Sequence, residues 1–403
     1  MNQRPPRTLW LCTLLAGLCT APALSADWPC WRGPNHDGIS PEKGLPAKWD
    51  SPPAKLWENP IGSAFSGLAC VGDKLYTCGT ADKKQVLYCL NADTGETVWK
   101  VPFEEEFKDG SGGDGTRATP TFDDGRVYIL GARGKLLCCD ATTGKEVWST
   151  QFKAQPQWGY AGSVLIEGDR AIATAGGDDG GLVALNKKTG APVWHTDKAP
   201  TGYATPYPFD FDGARYIVGF LGKEALIVEP QTGKAAWQAK WETSYDVNAA
   251  TPIFSDGRLF LTSGYKTGAG VFKLARAGDK LTGEKTWGPD KLILGKFQTP
   301  VLWEGHLYVS DEKALKCVEL ATGKEKWSEK GISNGTVVIA DGRLVVFTEG
   351  GELQIAPLSA EKYAPTAKAQ LLNGKCWTVP TLYKGRVYVR NLKQAACYKL
   401  TAN

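Results

Sequence analysis

The sequence predicts an all-β chain folded as an eight-bladed β-propeller of four-stranded antiparallel blades, and three observations carry that prediction. The phrase Thr-Gly-x-x-x-Trp recurs six times, at residues 94–99, 143–148, 189–194, 232–237, 282–287 and 322–327, with its glycines 40 to 50 residues apart. Between these copies a turn dipeptide feeds an apolar run eight times, at Gly72-Asp73, Asp124-Gly125, Gly168-Asp169, Asp212-Gly213, Asp256-Gly257, Glu304-Gly305, Asp341-Gly342 and Lys384-Gly385. Finally, the last unit stops where the others carry Thr-Gly, and its missing piece stands near the front of the chain, where Lys55-Leu56-Trp57-Glu58-Asn59 resembles Glu146-Val147-Trp148-Ser149-Thr150. Self-similarity at this period is the signature of stacked repeats.

Each unit reads as four short strands. The innermost often opens with Thr-Pro, as at Thr119-Pro120, Thr205-Pro206, Thr251-Pro252 and Thr299-Pro300. The turn dipeptide makes a tight hairpin into a second strand, as in Asp124-Gly125-Arg126-Val127-Tyr128-Ile129. A third strand ends at the Thr-Gly turn, and the tryptophan starts the outer strand. A lone sheet of this size leaves a large apolar face in water, so the units must stack, and a ring also hides their edges. Blades set like spokes diverge outward. Trp57, Trp99, Trp148, Trp194, Trp237, Trp287 and Trp327 are therefore expected to fill the widening gaps, while glycine permits the positive φ of the turn. The strand around Trp57 should complete the eighth blade and clasp the ring. The seventh unit is degenerate, with Leu358-Ser359-Ala360-Glu361-Lys362-Tyr363 in place of the motif.

Ahead of the repeats, Arg4 and Arg7 precede the apolar run Leu9–Leu18, which is too short to span a bilayer, and small residues follow up to Ala26. Residues 1–26 thus read as a secretory signal peptide, 27–53 as an extension packing on the propeller through Trp28, Trp31 and Trp49, and 54–403 as the propeller itself. Leu18 directly before Cys19 argues against a lipid anchor, so the expected location is periplasmic or secreted. Loss of the leader removes two arginines and no acid, lowering the net charge from +4 to +2. That balance points to neither nucleic acid nor an acidic membrane surface, and no later segment is apolar enough to cross a membrane.

The stretch Leu90-Asn91-Ala92-Asp93-Thr94-Gly95-Glu96-Thr97-Val98-Trp99 resembles the repeat of the pyrroloquinoline-quinone (PQQ) propeller family, in which Asp precedes Thr-Gly and Trp lies four residues after the glycine. The resemblance covers about residues 54–403. Trp28-Pro29-Cys30-Trp31-Arg32-Gly33-Pro34-Asn35-His36-Asp37-Gly38 is similar to the opening of exported bacterial propellers of that family, with Cys30 at a position that is usually polar. The resemblance implies the fold. It does not choose a chemistry, because the family holds PQQ-dependent alcohol dehydrogenases as well as non-enzymatic propellers such as BamB, a component of outer-membrane β-barrel assembly.

Nine cysteines follow the leader, an odd number for an oxidising compartment. The resemblance draws attention to Cys138-Cys139, because quinoprotein dehydrogenases carry a vicinal disulfide beside the cofactor. Register favours a packing role instead. Cys89, Cys138 and Cys317 lie six residues before a turn glycine, Cys397 matches them if Asn403 replaces that glycine, and consecutive strand residues face opposite sides. The three histidines, His36, His195 and His306, read as surface or packing residues, and no Cys-x-x-Cys, phosphate loop or nucleophile elbow appears.

Loops entering the inner strands of a propeller converge around its axis. Those loops supply Phe65 and Ser66, Asp114 and Arg117, Trp158 and Tyr160, Tyr203, Tyr245 with Asp246 and Asn248, Lys296 and Gln298, Asn334, and Lys375 with Trp377. The binding set expected from them is Arg117, Trp158, Tyr160, Tyr203, Asp246, Asn248, Lys296, Gln298, Asn334 and Trp377. The primary expectation is a monomeric, non-catalytic scaffold for a protein or carbohydrate partner, with no cofactor, no catalytic residue and no metal. Two alternatives stand beside it. One is a small PQQ-dependent dehydrogenase with Ca²⁺ oxidising an alcohol or sugar, in which Asp246, Asn248, Arg117 and Trp377 take the cofactor roles that the family implies, although no mouth glutamate completes the set and the connections are short. The other is a BamB-like assembly factor.

Overall fold

A computed structural model describes residues 27–110, 112–278 and 280–400. The expected leader and the chain end at Asn403 lie outside them. Eight sheets form in chain order, each with an inner strand A followed by B, C and an outer strand D. Blade 1, for example, comprises Ala69–Val71, Lys74–Ala81, Lys84–Asn91 and Thr97–Glu105. Blade 8 takes strands A to C from Thr381–Tyr383, Arg386–Arg390 and Ala395–Lys399, and its D strand is Lys55–Asn59, with Trp57 opposite Cys397. The first strand of the repeat region therefore closes the ring.

The A–B turns explain the second repeated phrase. In six of them both turn residues are left-handed, as at Asp124 (φ 45°) and Gly125 (φ 71°), the requirement of a two-residue type I′ hairpin. At Gly72 and Gly168 the glycine comes first and it alone is left-handed.

The Thr-Gly-x-x-x-Trp phrase is a joint between blades. Six of the seven indoles reach across to the next blade, where the N–H donates to a carbonyl near the end of strand C: Trp57 to Ala92 (2.9 Å), Trp99 to Ala141 (3.1 Å), Trp148 to Lys187 (3.0 Å), Trp194 to Pro230 (2.9 Å), Trp287 to Leu320 (2.9 Å) and Trp327 to Ser359 (3.0 Å). The rings of Trp57, Trp99, Trp148, Trp194 and Trp287 lie on the turn glycine of that next blade. A Cβ at Gly95 would sit 2.5 Å from the Trp57 ring, and one at Gly144 2.8 Å from the Trp99 ring. Glycine is thus required twice over, for its positive φ and for the space the indole fills. Tyr76, Tyr128 and Tyr388 donate to the same carbonyls that accept from Trp99, Trp148 and Trp57. Between tyrosine and tryptophan on strand C lie Cys89, Cys138 and Cys397, all fully buried.

Blade 5 departs from the expected turn. Its C and D strands, Gly268–Ala277 and Lys280–Asp290, pair from Ala277 and Lys280 outward, so the chain turns at Gly278. Thr282 and Gly283 sit within strand D, opposite Ala275 and Leu274. Gly278 supplies the positive φ five residues earlier than the motif predicts, and the hairpin grows longer as a result.

Nearer the axis, hydroxyls explain the Thr-Pro phrase. Backbone N–H groups of one blade donate to the hydroxyl of the equivalent residue on the next: Gly67 to Thr119 (3.1 Å), Thr119 to Ser163 (2.9 Å), Ser163 to Thr205 (2.9 Å) and Thr251 to Thr299 (2.9 Å).

Residues 28–45 run against the inner strands. Trp28 exchanges backbone hydrogen bonds with Cys70 of blade 1, and the Phe122 N–H of blade 2 donates to the Pro29 carbonyl. The Trp31 indole donates to Thr251 of blade 5. Ile39–Ser40 adds a parallel fifth strand to blade 7, and the Lys384 and Gly385 N–H groups of blade 8 donate to the Glu42 carboxylate. Arg32, 4% exposed, donates to the carbonyls of His36, Asp37, Thr299 and Pro300, which satisfies a guanidinium with no carboxylate bound to it. Gly33 (φ 82°) lies under the Trp28 ring, where a Cβ would come within 2.7 Å.

All nine described cysteines are free thiols and buried. Cys138 and Cys139 stay reduced neighbours on one strand, their pKa values pushed up to about 11 and about 12 by burial. No described helix is long and apolar enough to cross a membrane.

Two outcomes test this packing. Gly125 and Gly144 share a positive φ, but a Cβ at Gly125 meets nothing within 4 Å. Gly125→Ala should therefore cost only the left-handed strain, about 1–2 kcal/mol, whereas Gly144→Ala should cost about 2–5 kcal/mol because it also collides with Trp99. Denaturant midpoints of the two variants check the difference. Burial lowers the His36 pKa from 6.5 to about 4, so the folded protein holds this imidazole neutral while the unfolded chain protonates it. Stability should be unaffected by His36 above pH 6.5 and fall as pH drops from 6.5 towards about 4. The loss should be smaller in His36→Gln, as measured by thermal unfolding across that range.

Candidate functional site

The loops entering the inner strands enclose a cavity of about 540 Å³ that is open to solvent. Trp31 of the N-terminal segment lines it together with residues of the blade loops.

Two aromatic clusters form its walls. Trp158 meets Tyr245 edge-on at 5.6 Å (89°) and Tyr203 at 6.0 Å, and Tyr265 lies 5.7 Å from Tyr245. These rings come from the loops entering blades 3, 4 and 5 and from the B–C turn of blade 5. The second cluster stacks Phe65 on Trp377 at 5.1 Å, with Phe297 on Trp377 at 4.6 Å. It is drawn from the loops entering blades 1, 8 and 6. Tyr245 and Asp246 both have positive φ (62° and 59°), and this kink leaves the Tyr245 ring 63% exposed.

Arg117 and Lys296 line the cavity, and Lys375 sits beside it against two lining residues, Trp377 and Gly112. Lys296 Nζ lies 4.8 Å from the centre of the Tyr265 ring, and Lys375 Nζ lies 4.2 Å from that of Trp377 while donating to the Gly112 carbonyl. Arg117 is enclosed by its own loop. It donates to Asp109 Oδ2 (3.0 Å) and to the Gly113 and Gly115 carbonyls, and it covers the Phe107 ring at 4.6 Å. Burial draws its pKa down to about 10 against the pull of Asp109, so it stays charged at neutral pH.

Of the expected binding set, the structure brings Arg117, Trp158, Tyr203, Lys296 and Trp377 to the cavity wall, along with Phe65 and Tyr245. The others lie elsewhere. Tyr160 turns into the core against Phe152. Asn248 is fully buried and staples its loop, donating to the Leu221, Gly222 and Trp241 carbonyls and accepting from Thr243 and Ser263. Asp246 faces the blade 4 turn at Gly222. Gln298 lines a narrow crevice beneath the cavity and donates to Asn334.

Several mouth residues escape a reading confined to the immediate approach to each inner strand. Asp109 and Gln157 lie further upstream in the loops, Tyr265 comes from a B–C turn, and Trp31 comes from outside the repeats. A glutamate also holds one of the wall residues, without itself lining the cavity. Glu349, from the B–C turn of blade 7, accepts from the Trp377 indole at 2.7 Å and from Asn334 at 3.4 Å.

A bound quinone with a divalent cation would need carboxylate and amide oxygens converging on the open cavity. Asp109 is paired with Arg117, the Asn248 amide is saturated by its own loop, and Gln298, Asn334 and Glu349 bind one another and Trp377. Among the described residues no group of three or more His, Cys, Asp or Glu side chains could hold a metal ion. The donor set present does not fit that cofactor.

Residues 82–329 match the profile of the PQQ-repeat family described as outer membrane protein assembly factor BamB. An outer membrane protein assembly factor BamB from Burkholderia pseudomallei is 25% identical over 303 residues, which is 65% of this chain and 75% of that protein. In shape, the crystal structure of BamB from Moraxella catarrhalis superposes with a TM-score of 0.62 at 16% identity, covering 86% of this chain and 99% of that one. A europium-containing methanol dehydrogenase superposes with a TM-score of 0.69 at 14% identity, covering 91% and 89%. At these identities both structures speak for the fold alone. The profile spans more than half of the chain, and the protein belongs to the PQQ-repeat propeller family described by the assembly factor BamB.

Proposed function

We propose that this protein is a non-catalytic, extracytoplasmic binding scaffold that engages a protein or carbohydrate partner through the mouth of its axial cavity. The observation that carries this reading is the pairing of two aromatic clusters around one open cavity that Trp31 also lines. Exposed aromatic surface in a concave site stabilises a ligand by burial. The acid and amide groups nearby are tied into loop staples, which favours holding over turning over. The reading includes a monomer in the periplasm or outside the cell.

A second reading, membership in an outer-membrane assembly machinery, draws on the family match over residues 82–329.

Purified protein supplied with quinone, Ca²⁺ and a redox dye should show no oxidation of alcohols or sugars. Reproducible turnover there sinks the non-catalytic reading. A partner recovered with the wild-type protein from its host's extracytoplasmic fraction should be lost from the Trp158→Ala/Trp377→Ala double variant. Retention of that partner would move the binding face away from the mouth. Recovery of an outer-membrane barrel protein would favour the second reading.

A further inference from the structure

The cavity presents aromatic faces, hydrogen-bonding hydroxyls and lysine ammoniums, and the carboxylate that lines it is already paired with an arginine; we propose that it takes an anionic oligosaccharide, a short run of pyranose rings bearing carboxylate or sulfate groups. This rests on the reading that the mouth is the binding face and names its ligand.

The donors begin with three buried hydroxyls that line the cavity. Ser163 Oγ accepts from the Thr119 N–H, Thr205 Oγ1 from the Ser163 N–H and Thr251 Oγ1 from the Trp31 indole. Ser163, Thr205 and Thr251 are 2%, 6% and 3% exposed, and among the described residues none of these hydroxyls donates to a protein acceptor. Each retains an O–H to give, and a buried hydroxyl without a partner is costly. Lys296 and Lys375 add ammonium groups held on aromatic rings, and among the described residues neither forms an ion pair. The carboxylate that lines the cavity, Asp109, is already joined to Arg117.

Such a site selects by mismatch. A cationic ligand meets two ammoniums and no free carboxylate. An apolar ligand leaves the hydroxyls unpaired. A sugar ring offers an apolar C–H face to each aromatic cluster and an edge of oxygen acceptors to the hydroxyls, and an attached carboxylate or sulfate answers the lysines.

The test is calorimetric titration of the whole protein at low salt with trigalacturonic acid, a sulfated uronate-free galactan trisaccharide and neutral cellotriose. At least one anionic sugar should bind about tenfold or more tightly than cellotriose, quench tryptophan fluorescence and weaken as salt rises. Whichever anionic sugar binds distinguishes carboxylate from sulfate. Lys296→Ala should weaken binding about tenfold and Lys296→Arg should largely restore it, while Lys285→Ala, which alters a lysine over Phe272 away from the cavity, should leave it unchanged. Equal binding of cellotriose, or no binding of any of the three sugars, overturns the proposal. A protein that captures a partner in a Trp377-dependent manner yet binds none of the sugars sinks the ligand assignment and leaves the mouth reading standing.

Discussion

An indole lying on a glycine governs this molecule. Four-stranded sheets radiating from an axis separate as they move outward, and a fixed joint must span the gap. The tryptophan of one outer strand covers the turn glycine of the next blade and gives its N–H to a carbonyl there. The contact combines apolar burial, one directed hydrogen bond and a backbone conformation only glycine adopts at low cost. Outer strands are otherwise exposed, as the single buried position in Glu146–Gln151 shows, so this one side chain sets the angle between neighbours. Blade 7 lacks a tryptophan on its outer strand, Ala367–Gln370, and there Trp49 of the N-terminal segment packs against the core cluster shared with blades 8 and 1.

The joints fix the ring, and the ring fixes the mouth. With the blades at constant angles, their inner loops must meet over the axis, and the hydroxyl contacts between neighbouring inner strands tighten that end further. Side chains from blades remote in sequence then become neighbours, as Phe65 of blade 1 and Phe297 of blade 6 do on the two sides of Trp377. Loop staples such as Asn248 and the Arg117–Asp109 pair hold the walls in place, so the rings arrive at the cavity with little freedom left to lose on binding.

Legibility in the sequence followed the range of the interactions. Turn chemistry is local, so the A–B hairpins and five of the six Thr-Gly turns read directly from dipeptides. The sixth misled because Gly278 offers a competing turn five residues upstream of Gly283, and tertiary pairing rather than the motif decides between them. The partner of Trp57 was legible because a repeat leaves a visible gap when one copy is short of a strand. The mouth was half legible. Position in a loop places a residue near the axis, but side-chain direction depends on local φ and on what the rest of the loop needs. Tyr245 turns outward on a left-handed kink, whereas Asn248, three residues on, turns inward to bind three carbonyls. Trp31, Tyr265 and Glu349 come from segments that carry no repeat signal for the axis at all.

Closure by the strand around Trp57 has a consequence for biogenesis. The segment that completes blade 8 leaves the ribosome before every residue of the sheet it joins. During synthesis it has no counterpart, so it must stay unpaired until the final three strands arrive. A contact between opposite ends of the polypeptide is entropically expensive to form and comes late, which separates the assembly of individual blades from the sealing of the circle. Premature truncation anywhere would thus leave two open sheet edges at once, one at each side of the break, and both would be available to a neighbouring molecule.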